Sequence, residues 1–247
     1  MLKTSVELDI ESYMTDCAYR LRASSFMDLA QVVAMKGSDS LGFGYDILRQ
    51  QNMAFVLYRM QFKFLRPVKW NEHITFNTWH RGLDGLVFLR DYEIIGQDGK
   101  RAAVGTSSWV VLNTFTRSFV WTENLPSCVS LTPQFTEAVM DAPAQKIVIP
   151  KGVKMREADT HIVSYSDVDF IGHTNNVKYV QWAMDLIDRE FAATHQVKEV
   201  TVNYIKETRL GEAVKIMLGE IRNLDSNVFY LEGFANSQLC FSVRLEF

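Results

Sequence analysis

Disulfide chemistry, membrane insertion and nucleic-acid binding are each argued against by what this chain has little of. Its three cysteines, Cys17, Cys128 and Cys240, are odd in number and far apart, which fits reduced thiols rather than a disulfide framework or a zinc site. No apolar run approaches the ~18 residues a membrane span needs, and MLKTSVELDI lacks the basic start and apolar stretch of a signal peptide. Cytoplasmic residence is the expectation. With 26 Lys+Arg against 29 Asp+Glu the formal net charge is −3, so no overall basic footprint for nucleic acid or a membrane surface is present. Proline is scarce too: four of the five fall between 126 and 150.

Apolar surface, by contrast, is plentiful. At 47% apolar and 12% aromatic, the chain can build the core of one large domain or two of ordinary size. Residues 6–22 read as an opening strand or two. Ser24 and Ser25 offer an N-cap to a helix in which Phe26, Leu29, Ala30, Val33 and Ala34 recur at helical spacing, and Gly37, Gly42 and Gly44 end it. Strands follow at 54–70, ended or bulged by Pro67, and at 73–81, 86–97 and 102–114, with Asp98-Gly99 as a tight-turn signal between the last two. The proline-bearing stretch 126–154 lacks sustained periodicity and reads as a connection between a unit at 1–125 and another at 155–247. The second unit reads as a strand at 160–165, a helix at 176–194, and strands at 198–208, 213–224, 227–236 and 238–247.

Both units share this order, and they share sequence. An offset of 140 lays TVNYIKETRLGEAVKI (201–216) over QFKFLRPVKWNEHITF (61–76), pairing Tyr204 with Phe64, Lys206 with Arg66 and Glu212 with Glu72. An offset of 153 lays YVQWAMDLI, from Tyr179, over FMDLAQVVA, from Phe26, and the difference of 13 is expected as extra connection in SDSLGFGYDILRQQ (38–51). The fold class that follows is α+β and duplicated: two antiparallel sheets, each curled around one long helix, covering each other's edges as an internal pseudo-dimer. Tyr179, Trp182 and Leu186, with Phe26, Leu29 and Val33 as counterparts, would fill the concave faces.

Chemistry concentrates in YSDVDFIGHTNNVKYVQW (165–182), where acids, a histidine and two asparagines lead into a helix whose first N–H groups have no intrahelical acceptors. Taken singly, Asp169 could cap a turn, His173 could be a loop residue, and Asn175 or Asn176 could cap the helix. The corresponding stretch of the first unit, CAYRLRASS (17–25), offers no carboxylate, histidine or asparagine, and Glu207 lies over Pro67 at the offset of 140. One site per chain is expected, built by the second unit and roofed by the first.

The segment YSDVDFIGHTNNVKY resembles the signature of hot-dog-fold acyl thioesterases, and D-V-D-x-x-x-H-x-N-N-V-K-Y-x-x-W is closer still to the acyl-acyl-carrier-protein (acyl-ACP) thioesterases of fatty-acid synthesis. LYRMQFKFLRPVKWNEHITFNTW, SSWVVLNTFTR and NYIKETRLGE extend the resemblance over most of the chain. It implies a tandem hot-dog that releases free fatty acid from acyl-ACP, needing neither cofactor nor metal, with Asp169, His173 and Glu207 as catalytic residues. One position departs from the plant pattern: Ile171 stands where an asparagine is found, and Asn175 is a candidate to substitute for it. Thr208 occupies the place of a cysteine present in many plant members, which disfavours a Cys–His scheme.

Such a reaction must deliver water and stabilise an oxyanion, because a thiolate leaves with little need of a proton. Glu207 or Asp169 would activate water with His173 orienting it; a covalent anhydride at Asp169 is the competing scheme. Backbone N–H groups flanking Gly172 and His173, at the entry to the Asn176 helix, would hold the oxyanion. The acyl chain would lie in the first unit, with Phe26, Met27, Met35, Met53, Phe55 and Met60 as lining residues. Acidic carrier protein would dock on a basic rim drawn from Lys178, Lys198, Lys206 and Arg209. Two other functions compete: hydrolysis of acyl-coenzyme A, and acyl binding without catalysis. A homodimer beyond the internal pseudo-dimer is left open.

Overall fold

A computed structural model describes residues 3–130, 134–223 and 226–247. The first half runs through β1 (Lys3–Asp9), α1 (Ala23–Ser40), α2 (Tyr45–Gln50), β2 (Met53–Phe64), β3 (His73–Asp84), β4 (Val87–Ile95) and β5 (Arg101–Asn113). After the short α3 (Ser127–Ser130), the second half supplies β6 (Arg156–Ile162), α4 (Asn176–Asp185), α5 (Arg189–Thr194), β7 (Glu199–Tyr204), β8 (Ala213–Arg222), β9 (Asn227–Ala235) and β10 (Gln238–Glu246). No helix among the described residues is long and apolar enough to cross a membrane.

The two sheets expected from the repeat are one. Ten strands pair in the order β1-β3-β4-β5-β2-β7-β10-β9-β8-β6, which reads the same from either end once each half is numbered separately. The join is β2 against β7, antiparallel, with Met60 opposite Val202, Gln61 opposite Thr201 and Phe62 opposite Val200. Gln61 and Thr201 are themselves 140 apart, so the pseudo-twofold axis passes between them. Pairing the two halves at this edge satisfies the strand N–H and C=O groups that each would otherwise expose.

Element boundaries reproduce both offsets. β1 and β6 begin at Lys3 and Arg156, and α1 and α4 at Ala23 and Asn176, each pair 153 apart; β3 and β8 begin at His73 and Ala213, and β4 and β9 at Val87 and Asn227, each pair 140 apart. The 13-residue difference is not the loop that was expected: α1 has 18 residues against 10 in α4 and β2 has 12 against 6 in β7, while α2 and α5 have 6 each. Gly37 lies inside α1 rather than ending it, and Arg22, not a serine, holds the N-cap position, leaving Ser24 and Ser25 buried in the first turn. The helix expected over 176–194 is broken after Asp185, because Asp188 caps a new one through a 2.8 Å bond from the Phe191 N–H.

Phe26, Met27, Ala30, Val33 and Ala34 of α1 and Tyr179, Val180, Trp182 and Ala183 of α4 share one core with the sheet. The opposite face of β3, β4 and β7 carries the connection between the halves. Val139 N–H donates to the fully buried Asp91 (3.0 Å), Trp79 Nε1 to the Glu137 carbonyl (2.9 Å), and Asn203 exchanges bonds with Gln145 and Ile147 (3.0 and 2.7 Å). Strand β4 is covered on both faces for this reason, which is why it is buried almost throughout.

Candidate active site

The loop leading into α4 is shaped by carboxylates. Asp167 closes a 3-10 turn by accepting from Ser164 N–H, Ser164 Oγ and His161 Nε2, each at 2.8 Å. Burial opposes the charge on Asp167, but these donors prevail and hold its pKa below the usual carboxylate range. Two residues on, Asp169 Oδ1 accepts from Ile171 N–H (3.0 Å) and His173 N–H (3.3 Å), and its carbonyl accepts from Gly172 N–H (3.0 Å). Gly172 has φ +82°, the left-handed conformation this tight turn requires. Thr174 N–H then reaches the Thr208 carbonyl (2.9 Å), tying the loop to the segment that follows β7.

That tie brings His173 to Glu207. Nε2 of His173 lies 3.4 Å from Oε1 of Glu207, and each carboxylate oxygen also receives a guanidinium: Arg209 on Oε1 (2.8 Å) and Arg117, from the first half, on Oε2 (2.6 Å). Burial would raise the pKa of Glu207, but the hydrogen bonds from Arg117 and Arg209 and the nearby His173 lower it on balance. Glu207 is not on a strand end as expected; β7 stops at Tyr204.

Asn175 is the N-cap of α4, its Oδ1 accepting from Val177 N–H (3.0 Å) and from Gln31 Nε2 of α1 (3.3 Å). The N–H groups of Gly172 and His173, expected to face an oxyanion, are both spent on Asp169. The N–H of Asn176, at the first helical position, has no acceptor within the helix. Asn176 also lines a cavity of about 200 Å³ whose other walls come mainly from the first half.

Of the residues expected to line an acyl pocket, Phe55 and Met35 do so. Phe26, Met27 and Met60 do not: all three are buried in the main core, Phe26 stacked on Phe62 at 4.4 Å. Met53 packs behind the cavity against the small cluster of Phe43, Leu48, Phe88 and Val111. Lining residues without a signal in the sequence are Phe43, Leu48, Phe88, Trp109, His80 and Arg90, which β3, β4, β5 and the unforeseen α2 with the turn before it bring together. Tyr45 of α2 meets Phe170 of the site loop edge-on at 5.4 Å, so the two halves touch at the cavity wall. Lys198 precedes β7 while Glu207 follows it, which places that lysine about 20 Å away along the strand and off any rim of this site.

The first half does hold a matching carboxylate. Asp16 lies 153 before Asp169, and its Oδ1 accepts from Ala18 and Arg20 N–H (both 2.9 Å), the same two-on and four-on bonds that Asp169 makes. Tyr19, φ +59°, stands where Gly172 does, Arg20 where His173 does, and Pro67 where Glu207 does. A second cavity, of about 230 Å³, is lined there by Asp16, Arg20, Ala23 and Met184, the counterparts of Asp169, His173, Asn176 and Gln31. The carboxylate loop is thus common to both halves, and the His–Glu pair belongs to one.

Residues 2–123 match the acyl-ACP thioesterase N-terminal domain and residues 151–238 the acyl-ACP thioesterase C-terminal domain. The chain belongs to the acyl-ACP thioesterase family. Relatives include oleoyl-acyl carrier protein thioesterase 1, chloroplastic, of Arabidopsis thaliana, 24% identical over 231 residues covering 83% of this chain and 60% of the relative. The oleoyl-acyl carrier protein thioesterase of Coriandrum sativum is 27% identical over 212 residues, covering 76% and 54%. The chain therefore spans less than two thirds of these relatives' lengths. Among solved structures, an acyl-ACP thioesterase from Bacteroides thetaiotaomicron superposes with a TM-score of 0.86 at 20% identity over 98% of this chain and 96% of that one. The 12:0-ACP thioesterase from Umbellularia californica gives 0.81 at 16% identity, covering 99% and 96%. At such identities these likenesses show the fold, which is hot-dog.

Proposed function

We propose that this chain hydrolyses fatty acyl-ACP thioesters, releasing the free fatty acid. The observation that carries this reading is the His173–Glu207 pair, 3.4 Å apart, with His173 on the loop between Phe170 and Asn176, two residues that line an apolar cavity, in a chain of this family. The fold is read as two hot-dog units, 1–125 and 155–247, joined by the 126–154 strap and paired through β2 and β7 as a pseudo-dimer in the cytoplasm.

His173 Nε2 faces the Glu207 carboxylate at 3.4 Å and lies 3.5 Å from Arg209 Nη2, and with the ring proton on Nε2 the Nδ1 lone pair is left for water. Glu207, kept ionised by two guanidiniums, is a weak base and acts by orienting the imidazole and stabilising its protonated form. His173 then draws the proton from water as it attacks the thioester carbonyl, and the oxyanion is received by the Asn176 N–H at the positive end of α4. The thiolate departs without a dedicated acid. Asp169, with one oxygen occupied by two N–H groups, builds the loop that presents His173. Asn175 contributes as the cap that fixes the α4 terminus.

Acyl carrier protein as substrate is supported by the family and by Arg117 and Arg209, which remain half exposed at the site and offer positive charge to an acidic partner. Hydrolysis of C8 to C18 acyl groups on carrier protein and on coenzyme A, by wild type and His173→Ala, tests the proposal. Loss of about 10²–10⁴-fold in kcat/KM on carrier-protein substrates is expected for the variant. Equal rates for variant and wild type would remove the site assignment, and faster turnover of coenzyme A esters would make the alternative carrier the substrate.

A further inference from the structure

The cavity wall carries a buried cation that the reaction does not use. Arg90, on β4, is 6% exposed, and among the described residues it forms no ion pair; its one side-chain hydrogen bond runs from Nη1 to Thr78 Oγ1 at 3.4 Å. A buried guanidinium ordinarily has a carboxylate partner. Burial lowers the pKa of Arg90, with Tyr92 opposing, which is the signature of a charge without an anion beside it.

Space has been left for this group. A Cβ on Gly37 would meet Arg90 Nη1 at 2.7 Å, so a glycine inside α1, costing about 1 kcal/mol of helix propensity, lets the guanidinium lie against the last turn of the helix. The partial negative charge of that terminus offsets a fraction of the cation, roughly half an elementary charge at most. His80, beside Arg90 on the cavity wall, is held neutral at physiological pH, its pKa lowered to about 4 by burial and by Arg90, against a backbone hydrogen bond at Leu89. It is therefore not a second cation, and its one N–H is taken at Leu89. Asp39 and Ser38 also line the cavity; Asp39 packs against Gly44 and makes no ion pair with Arg90.

This polar patch is set apart from the α4 terminus. Gln31, which lines the cavity, bonds the α4 cap Asn175, and Gly37, against Arg90, lies six residues further along α1, about 9 Å away at helical rise. We infer that the cavity accepts acyl groups ending in a hydrogen-bond acceptor, a carboxylate above all, which Arg90 meets at the end remote from the thioester. This specificity rests on the thioesterase reading for its reaction but not for its binding.

Two measurements separate them. Hydrolysis is compared for methyl-ended and ω-carboxyl acyl groups of equal length, C6 to C12, on the same carrier protein. Binding is compared by calorimetry for the non-hydrolysable pantetheine thioethers of octyl and 7-carboxyheptyl groups. In wild type the carboxyl-ended member is expected to be favoured about 10- to 100-fold, the range of a charge-assisted hydrogen bond. Arg90→Met should abolish or invert that ratio, Arg90→Lys should retain part of it, and Gly37→Ala should weaken it by displacing the guanidinium. Because each ratio is taken within one protein, partial loss of folding cancels. Wild-type affinities that are equal, or that favour the octyl thioether, would overturn the inference. Carboxyl-selective binding with neither ester hydrolysed would leave the specificity standing and sink the thioesterase reading.

Discussion

The shared geometry of Asp16 and Asp169 makes a quantitative test of what Asp169 does. In Asp169→Asn the amide oxygen can still accept from Ile171 and His173 N–H, at 3.0 and 3.3 Å in the wild type, so the loop survives with two charge-assisted bonds made neutral. Each such change costs about 1 kcal/mol, or about 2 kcal/mol for the pair, which is at most about 30-fold in kcat/KM if the whole cost falls on the placement of His173. Asp169→Ala removes both acceptors and should cost more, in stability as well as rate. A carboxylate that formed a covalent anhydride could not be replaced by an amide without a loss of about 10⁴-fold or more. Asp16→Asn is the control in the half without the histidine and glutamate: Oδ1 there accepts the same pair of bonds at 2.9 Å and Oδ2 also pairs with Arg20 (2.8 Å), so it should lower the urea midpoint at least as much and leave kcat alone. The assay is steady-state hydrolysis with single turnover in ¹⁸O water. A loss beyond about 1000-fold in Asp169→Asn at matched stability, or label recovered in the Asp169 carboxyl, would refute the loop-building role.

Other consequences follow from the same structure. His80 has a folded pKa of about 4 against 6.5, so the unfolded chain binds the extra proton between those values; stability should fall as pH drops from about 6.5 to 4, by about 3 kcal/mol in all, and level off below. Urea midpoints at pH 7 and pH 5 should converge in His80→Gln relative to wild type. Gly172→Ala places a side chain at φ +82° and should cost about 1–2 kcal/mol with a fall in kcat, whereas Gly85→Ala, φ +62° in the β3–β4 turn, should cost stability alone; equal kcat effects would contradict the site. Thr208 is fully buried and shares hydroxyl bonds with Thr174 (2.7 Å) and Tyr179 (3.0 Å), so Thr208→Val should lower stability by about 1 kcal/mol by removing that hydroxyl, the Tyr179 OH keeping the Thr208 N–H (3.3 Å), read as a shift in thermal midpoint.

Periodicity and repetition, which are local in the chain, were enough to determine the two α+β halves, the offsets of 153 and 140, the helix beginning near Asn176 and the hairpin at Gly99, φ +72°. The motif around His173 was legible because its residues lie within a few positions of one another. Asp16 was missed although it was equally local, because its meaning lies in hydrogen bonds that repeat those of Asp169, not in a residue pattern. Continuity of the sheet is different in kind: the pairing of Gln61 with Thr201 is a choice of partner edge, and hydrophobic alternation is the same whichever edge is met. The cavity is more distant still. Phe26, Met27 and Met60 have the composition of a pocket and are core, while Phe43, Arg90 and Trp109 line it, because which face of an element meets a void depends on how α2, β4 and β5 close around it. Arg117 on Glu207 joins groups 90 residues apart across the two halves. Chain-local signals set what each segment is; only tertiary packing, where burial makes a charge seek a partner from anywhere in the chain, decided which groups share the site.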